Sequence, residues 1–184
     1  FSLFSLLLLS FNPLSLSNGA FSRSISKEEM GIKSQNTLTH LHYFFHDYVV
    51  GPRRTAVRIA QAKTTDKDPN TFGALVMIDD PLSIGPDNSS HVVGYAQGMY
   101  GFADQTTAGL LMVMNFVFTD GEYKGSTLLS VLGRNEVFLK IREMAIVGGT
   151  GKFRFASDYC QAKTISGLDK SGASVIQYDV YVSH

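Results

Sequence analysis

The chain predicts an all-β domain, and three observations carry that prediction. Beyond residue 37, segments with period-two alternation and β-branched or aromatic crowding follow one another. Short clusters of turn-forming residues separate them, and no amphipathic stretch is long enough to make a helix. Many strands joined by short turns build a sandwich or a closed barrel. Glycines inside strand segments, at 94, 98, 101 and 109, favour the barrel, where a missing side chain relieves bending at corners.

The first strand is expected over Leu38–Asp47. Alternation puts Leu41, Tyr43, Phe45 and Asp47 on one face and His40, His42, Phe44 and His46 on the other. Further strands are expected over Ala56–Ala62, Phe72–Asp79, His91–Phe102, Leu110–Thr119, Ser126–Leu132, Glu136–Met144, Phe153–Lys163 and Ser174–Val182. Gly51-Pro52, Asp68-Pro69-Asn70, Asp80-Pro81, Asp120-Gly121, the Gly148–Gly151 cluster and Ser171-Gly172 supply the turns. Asp120-Gly121 and Gly148–Gly151 read as hairpins, the latter a tight one.

Residues 1–20 stand apart. Phe1–Ser10 is apolar but too short to span a bilayer, and the small residues Ser17, Gly19, Ala20 and Ser22 follow as at a signal-peptidase site. The segment is expected to be a secretory signal whose start is missing. Residues 21–37 are polar and expected to be flexible, which leaves residues 38–184 as one domain of about 150 residues with room for a real core. Lys plus Arg equals Asp plus Glu at 16 each, so no charge excess argues for nucleic acid or an anionic membrane. There is no second apolar span either. Cys160 is the single cysteine, so no intrachain disulfide forms and stability must come from a packed core or from oligomerisation. Asn88-Ser89-Ser90 is a glycosylation sequon in a loop-like stretch, in keeping with secretion.

Several constellations bear on chemistry. Asp47 ends an aromatic strand face, where desolvation would raise its pKa and make it a general acid; alternatively it ends the strand and caps a turn. His40 and His42 share a face with His46 and could ligate a metal, but a cupin-like site needs a nearby Glu and none occurs between Glu29 and Glu122. Histidines facing solvent or an interface are the favoured reading, and no metal is expected. The glycine run before Lys152 fails as a phosphate loop, with Ile146 and Phe153 where Gly and Ser or Thr are needed. It fails as a dinucleotide loop because Arg154 replaces the third glycine. No Gly-x-Ser-x-Gly elbow exists, and Cys160 reads as a buried inert thiol. Tyr100 shares a face with the small residues Ala96 and Gly98, leaving space beside its phenol for a ligand. An inward Arg142, sharing a face with Lys140 and Met144, would hold a phenolate or quinone oxygen. Spacing alone favours plainer alternatives: a packed aromatic for Tyr100, and an exposed partner of Glu143 or Glu136 for Arg142.

Taken in order, His42–Asp47, Val76–Pro81, Gly94–Tyr100, Met114–Phe118, Gly125–Thr127, Ile141–Glu143 and Val147–Gly151 resemble the plant dirigent family. The resemblance implies an eight-stranded antiparallel barrel, a homotrimer, secretion to the apoplast and no cofactor. It also implies a phenolic substrate, a radical or quinone methide, whose bond formation the protein steers, in some members beside a separate oxidase. Carried onto this sequence, it makes Asp47, Tyr100 and Arg142 the catalytic set and Phe45, Tyr43, Asn135 and Asp80 the substrate contacts. Gly133-Arg134-Asn135-Glu136 stands where lignan-forming members carry Gly-Ala-Asp-Pro, and their terminal cysteine pair is absent. Leu128–Asn135 and Gly151–Ala156 are closer in wording to the branch that includes the legume pterocarpan synthases. That branch implies a hydro-lyase type reaction, the dehydrating cyclisation of an isoflavanol. A phenolic-binding defence or wall protein without turnover, and a lignan-forming dirigent, are the alternatives.

Overall fold

The computed structural model describes Ser26, residues 29–30, 37–168 and 172–184. The expected signal, and nearly all of the expected flexible segment, lie outside the described residues. The described residues from 37 on form nine strands: β1 (Leu38–Tyr48), β2 (Ala56–Ala60), β3 (Leu75–Ser83), β4 (Val92–Phe102), β5 (Gly109–Phe118), β6 (Thr127–Glu136), β7 (Arg142–Gly149), β8 (Ser157–Ser166) and β9 (Ala173–Ser183). They make one antiparallel sheet in the order β1-β9-β8-β7-β6-β5-β4-β3-β2, and β1 pairs back onto β3. β1 lies opposite Leu82 and Ser83, whereas β2 lies opposite Leu75–Ile78 on the same flank of β3. β1 and β2 are therefore two halves of one barrel position, interrupted by residues 49–55. Nine segments thus close an eight-stranded antiparallel barrel.

The interruption explains one departure from expectation. Asp80-Pro81, expected as a turn, lies inside β3. Alternate strand residues donate to the same side, and the Asp79 N–H donates outward to Thr55 O. Pro81, two residues on, would donate to that same side, where the β1–β2 break leaves no ladder to complete. A proline is tolerated at such a gap.

Other departures have local causes. The strand expected over Glu136–Met144 is split, because Val137 N bonds Ala108 O and Leu139 N turns back to Glu136 O. Residues 137–141 form a turn at the rim, and β7 starts at Arg142. β3 starts at Leu75 rather than Phe72, since Thr71 (φ 59°) and Gly73 (φ 87°) bend the chain out of strand geometry. The glycine run at 148–151 is not a tight hairpin but opens a wider connection with a 3₁₀ turn at Gly151–Phe153. A second 3₁₀ turn, Gly121–Tyr123, joins β5 to β6.

Inward positions alternate around the ring as period two requires. Tyr43 and Phe45, Val76 and Ile78, Met112 to Phe118, Met144 and Ile146, and Tyr178 to Val182 make one continuous core. The 3₁₀ turns seal one end of it: Phe153, fully buried, stacks on Tyr123 at 4.8 Å between ring centroids and lies 5.7 Å from Phe118. Tyr43 and Phe116 meet edge to face at 5.2 Å beneath them. Outward, one register row crosses eight strand segments as Val57, Met77, Met99, Val113, Leu132, Ala145, Tyr159 and Tyr181. Apart from the two phenol tips it is wholly apolar.

Two inward glycines let β5 press against β4. A Cβ at Gly98 would stand 2.2 Å from Val113 O, and one at Gly94 2.3 Å from Val117 O. Backbone cannot yield as a side-chain tip can. Gly98→Ala is therefore expected to destabilise by on the order of 3 kcal/mol, lowering the thermal midpoint by roughly 6–12 °C in a denaturation scan.

Candidate functional site

At the end of the barrel opposite the aromatic seal, a cavity of about 390 Å³ opens where β1, β4, β6 and β8 finish and β5, β7 and β9 begin. Phe45 and Asp47 reach it from β1, Tyr100 from β4, Asn135 from β6 and Arg142 from β7. Alternation delivers each of them inward. The closed ring brings together residues far apart in the chain.

Two expected substrate contacts are placed elsewhere. Tyr43 lies one inward step deeper than Phe45 and packs into the core, with Tyr178 at 6.3 Å, rather than lining the cavity. Asp80 is fully buried and does not line the cavity; its Oδ1 accepts a short hydrogen bond from Thr55 Oγ1. Asn88 sits in an exposed loop, its Oδ1 accepting from the Tyr48 hydroxyl at 3.0 Å.

Arg142 departs from the alternative that spacing favoured. It is buried at 4 % exposure, while Glu136 accepts from Arg134 and Glu143 from Gln161. Its Nε donates to Asn135 Oδ1 at 3.0 Å, and Nη1 makes a long contact to Leu139 O at 3.5 Å. Among the described residues no carboxylate forms an ion pair with it. Burial lowers its pKa and the Tyr178 hydroxyl pulls the other way, yet guanidinium stays charged in any protein. The cavity therefore holds a cation oriented by a neutral amide.

One acid, Asp47, shares the cavity with it, and a second, Asp80, is buried outside the lining. Burial raises the Asp47 carboxyl from the ordinary carboxylate range to about 6. Asp80 is pushed to about 8, by burial first and then by the charge of Asp47, with the Thr55 bond partly opposing. Tyr100 is raised by burial and then by both aspartates, so its phenol is a hydrogen-bond donor and not a base. Cys160, fully buried, is pushed up to about 12 by burial.

The histidines divide. His40 Nε2 and His42 Nδ1 both donate to Asp179 Oδ1, at 3.0 and 2.8 Å, on the half-exposed outer face. His46 shares that strand face but is buried, because residues 83–85 fold over it. Its Nε2 donates to Ser83 Oγ at 2.6 Å, and Ser83 donates on to Gly85 O. The expectation of a histidine facing solvent or an interface fails at His46 for that reason.

Sequence reasoning missed other lining residues. Ile176 and Tyr178 carry a clear signal, since both fall on the inward face of the last alternating strand. Phe138 does not, because it stands on the rim turn at 87 % exposure and follows no periodicity.

A raised carboxylate pKa fixes the sign of a stability effect. The folded chain holds the Asp47 proton up to about pH 6, the unfolded chain only to about 3.8. The resulting stabilisation is complete below pH 4 and lost as pH rises through 6. Asp47→Asn should therefore match the wild-type thermal midpoint at pH 4 and exceed it at pH 8. A gain of about 2 kcal/mol, or roughly 6 °C, is expected by calorimetry.

Comparison with known proteins places this barrel. Residues 38–183 match the family described as Dirigent-like protein. Pterocarpan synthase 1 of Glycine max is 46 % identical over 171 residues, covering 92 % of this chain and 91 % of the relative. Dirigent protein 21 of Arabidopsis thaliana is also 46 % identical, over 90 % of this chain and 86 % of its own. A solved pterocarpan synthase dirigent protein matches with a TM-score of 0.76 and 46 % identity, over 83 % of this chain and 87 % of the other. The ordered motifs, the closed barrel and these matches agree: the chain belongs to the dirigent family.

Proposed function

We propose that this protein binds a phenolic quinone-methide precursor in the barrel cavity and directs its ring closure, as in the dehydrating cyclisation of an isoflavanol to a pterocarpan. One observation carries the reading. A carboxyl that keeps its proton to about pH 6 and an unpaired buried guanidinium share one largely apolar cavity. Relatives named pterocarpan synthase at 44–46 % identity support the substrate class.

The chemistry balances without an oxidant. Asp47 gives its proton to the benzylic hydroxyl, whose C–O bond breaks to release water. The conjugated phenol loses its proton to solvent at the mouth, leaving the quinone methide. Arg142, held by Asn135, bonds the oxygen on which negative charge gathers, and Tyr100 donates a second hydrogen bond within the cavity. The internal phenolic oxygen then forms the new C–O bond at the methide carbon. Its proton returns to the Asp47 carboxylate, while the quinone oxygen regains the one lost to solvent. The sum is substrate to cyclic product plus one water. Holding nucleophile and electrophile in one orientation against Phe45 supplies both rate and handedness.

Secretion to the apoplast through residues 1–20 and a glycan on Asn88 complete the reading, and the exposure of Asn88 supports the latter. A homotrimer is part of it too. The outward apolar row is the surface such an assembly would bury, and no disulfide is available to stabilise a lone barrel. Leu132→Glu places a charge in that row and is expected to shift the mass by light scattering toward the single chain.

Racemic isoflavanol with chiral chromatography tests the function. The wild type should accelerate closure and return product enriched in one enantiomer; unchanged rate and ratio would leave only a phenolic binder. Asp47→Asn should cut the rate by at least about a hundredfold while the barrel stays folded. Asn135→Asp should slow closure, because a carboxylate there neutralises Arg142. With coniferyl alcohol and an oxidase, wild type and Asn135→Asp should both give racemic coupling products. Strong enantiomeric excess from the wild type would return the protein to the lignan-forming group.

A further inference from the structure

Asp80 is a buried acid to which the cyclisation scheme gives no task. Its surroundings do. The β1–β3 register pairs Phe44 with Ser83 and Phe45 with Leu82. Continued by two residues, it sets Asp47 opposite Asp80 with both side chains on the inward face. The hydrogen-bonded ladder stops before that point, at Pro81, and one pair further on Thr55 stands between the strands, donating its N–H to Tyr48 O and accepting from Asp79 N. Directly opposed residues on one face stand about 5 Å apart at Cβ.

Each of the two carboxyls keeps one buried oxygen, Asp47 Oδ1 and Asp80 Oδ2, with no hydrogen-bond partner. Two bare buried acceptors side by side would carry both a desolvation penalty and mutual repulsion. One proton between them removes both costs. The Tyr43 hydroxyl is also buried and without a hydrogen-bond partner, and its pKa is raised by burial first and then by Cys160 and Tyr178.

We propose that Asp47 and Asp80 form a proton-sharing carboxyl pair, in which Asp47 meets the substrate and Asp80 is the inner proton store that recharges it. The inference rests on the cyclisation reading for its role in turnover, though not for the pair itself. In the working cycle the single shared proton passes from Asp80 Oδ2 to Asp47 Oδ1, and Asp47 delivers it to the leaving hydroxyl. The proton released by the attacking phenol then returns along the same path, so the pair gains and loses nothing overall.

The charged and titratable groups around the pair are Tyr100 on β4, Tyr178 on β9, Arg142 on β7, Arg58 on β2, Tyr48 on β1, Arg53 in the segment between β1 and β2, and Asp79 on β3 itself. Between about pH 6 and 8 the pair holds one proton, which belongs to both groups. The store therefore extends activity about two pH units above what Asp47 alone would allow. Thr55, reaching in from the β1–β2 interruption, sets the upper limit by bonding Asp80.

Two variants move that limit in opposite directions. In the wild type the rate of closure should fall only above about pH 8. Asp80→Asn keeps an acceptor for Thr55 but carries no proton to give, so its rate should fall from about pH 6 and be about tenfold lower than wild type at pH 7. Thr55→Val removes the bond that favours the charged form, so its limit should move above 8. A merely structural role for Asp80 cannot produce opposite shifts; limits that stay in place, or move together, overturn the proposal. If Asp80→Asn does not fold, Thr55→Val decides alone. Infrared spectra of the free protein with isotope-labelled aspartate supply a readout independent of turnover. At pH 7 the wild type should keep a protonated-carboxyl band that Asp80→Asn lacks. That band without any closure activity would sink the cyclisation reading and leave the pair standing. Activity without the band would do the reverse.

Discussion

Everything in this molecule depends on closure of the sheet at β1 and β3. The assigned pairing there is short, Phe44 with Ser83 and Phe45 with Leu82. Without it, the sheet would present two free edges, each an invitation to pair with other chains. With it, every strand gains two neighbours or a covered flank, and the inward alternation of all nine segments converges on one axis. The cost falls on residues 49–55, where the strand that should run the full height of the barrel is broken. That break accommodates Pro81 and carries Thr55 to Asp80.

The cavity works by leaving charges uncompensated on purpose. Burying an ion pair brings its partners little net gain, because mutual attraction is spent against desolvation. Here acid and base are kept from cancelling by what lies between them. Asn135 orients Arg142 with an amide oxygen and leaves its positive charge available. Apolar walls around Asp47 hold its proton up to about pH 6. A ligand with a phenolic oxygen at one end and a leaving hydroxyl at the other meets both demands together. The remaining lining, Phe45, Phe102, Leu110, Met112 and Ile176, contributes shape and water exclusion.

Much of this was legible in the sequence, for definite reasons. Period-two alternation exposed Tyr43, Phe45 and Asp47 as one face because a strand cannot place them otherwise. Glycines at 94 and 98 pointed to a sheet bent into a barrel, and the structure adds a reason they did not carry, β5 backbone where their side chains would stand. Arg142 was illegible by spacing. An arginine flanked by glutamates normally pairs with them, and only the ring shows that those glutamates point outward to other partners. Asp80-Pro81 misled because proline usually marks a turn, and the exception needs a gap made by a distant segment. His46 misled because burial of an outer strand face by a loop leaves no trace in alternation. The roles of the cavity residues came from family motifs and not from periodicity, which places side chains but does not assign them work.

The packed core that floors the cavity at Phe45 and Tyr178 and runs on to the aromatic seal has a kinetic consequence. A tube closed at one end is a blind alley, so a bound molecule leaves by the way it came in. Whatever enters first leaves last, and any small molecule released at the bottom must pass the larger one or wait behind it. Water expelled in a dehydration would thus be trapped beside a reactive intermediate, where it competes with the internal nucleophile. A molecule built this way gains by making bond closure faster than escape. The tight fit of the inner walls then governs the fidelity of the product as much as its handedness.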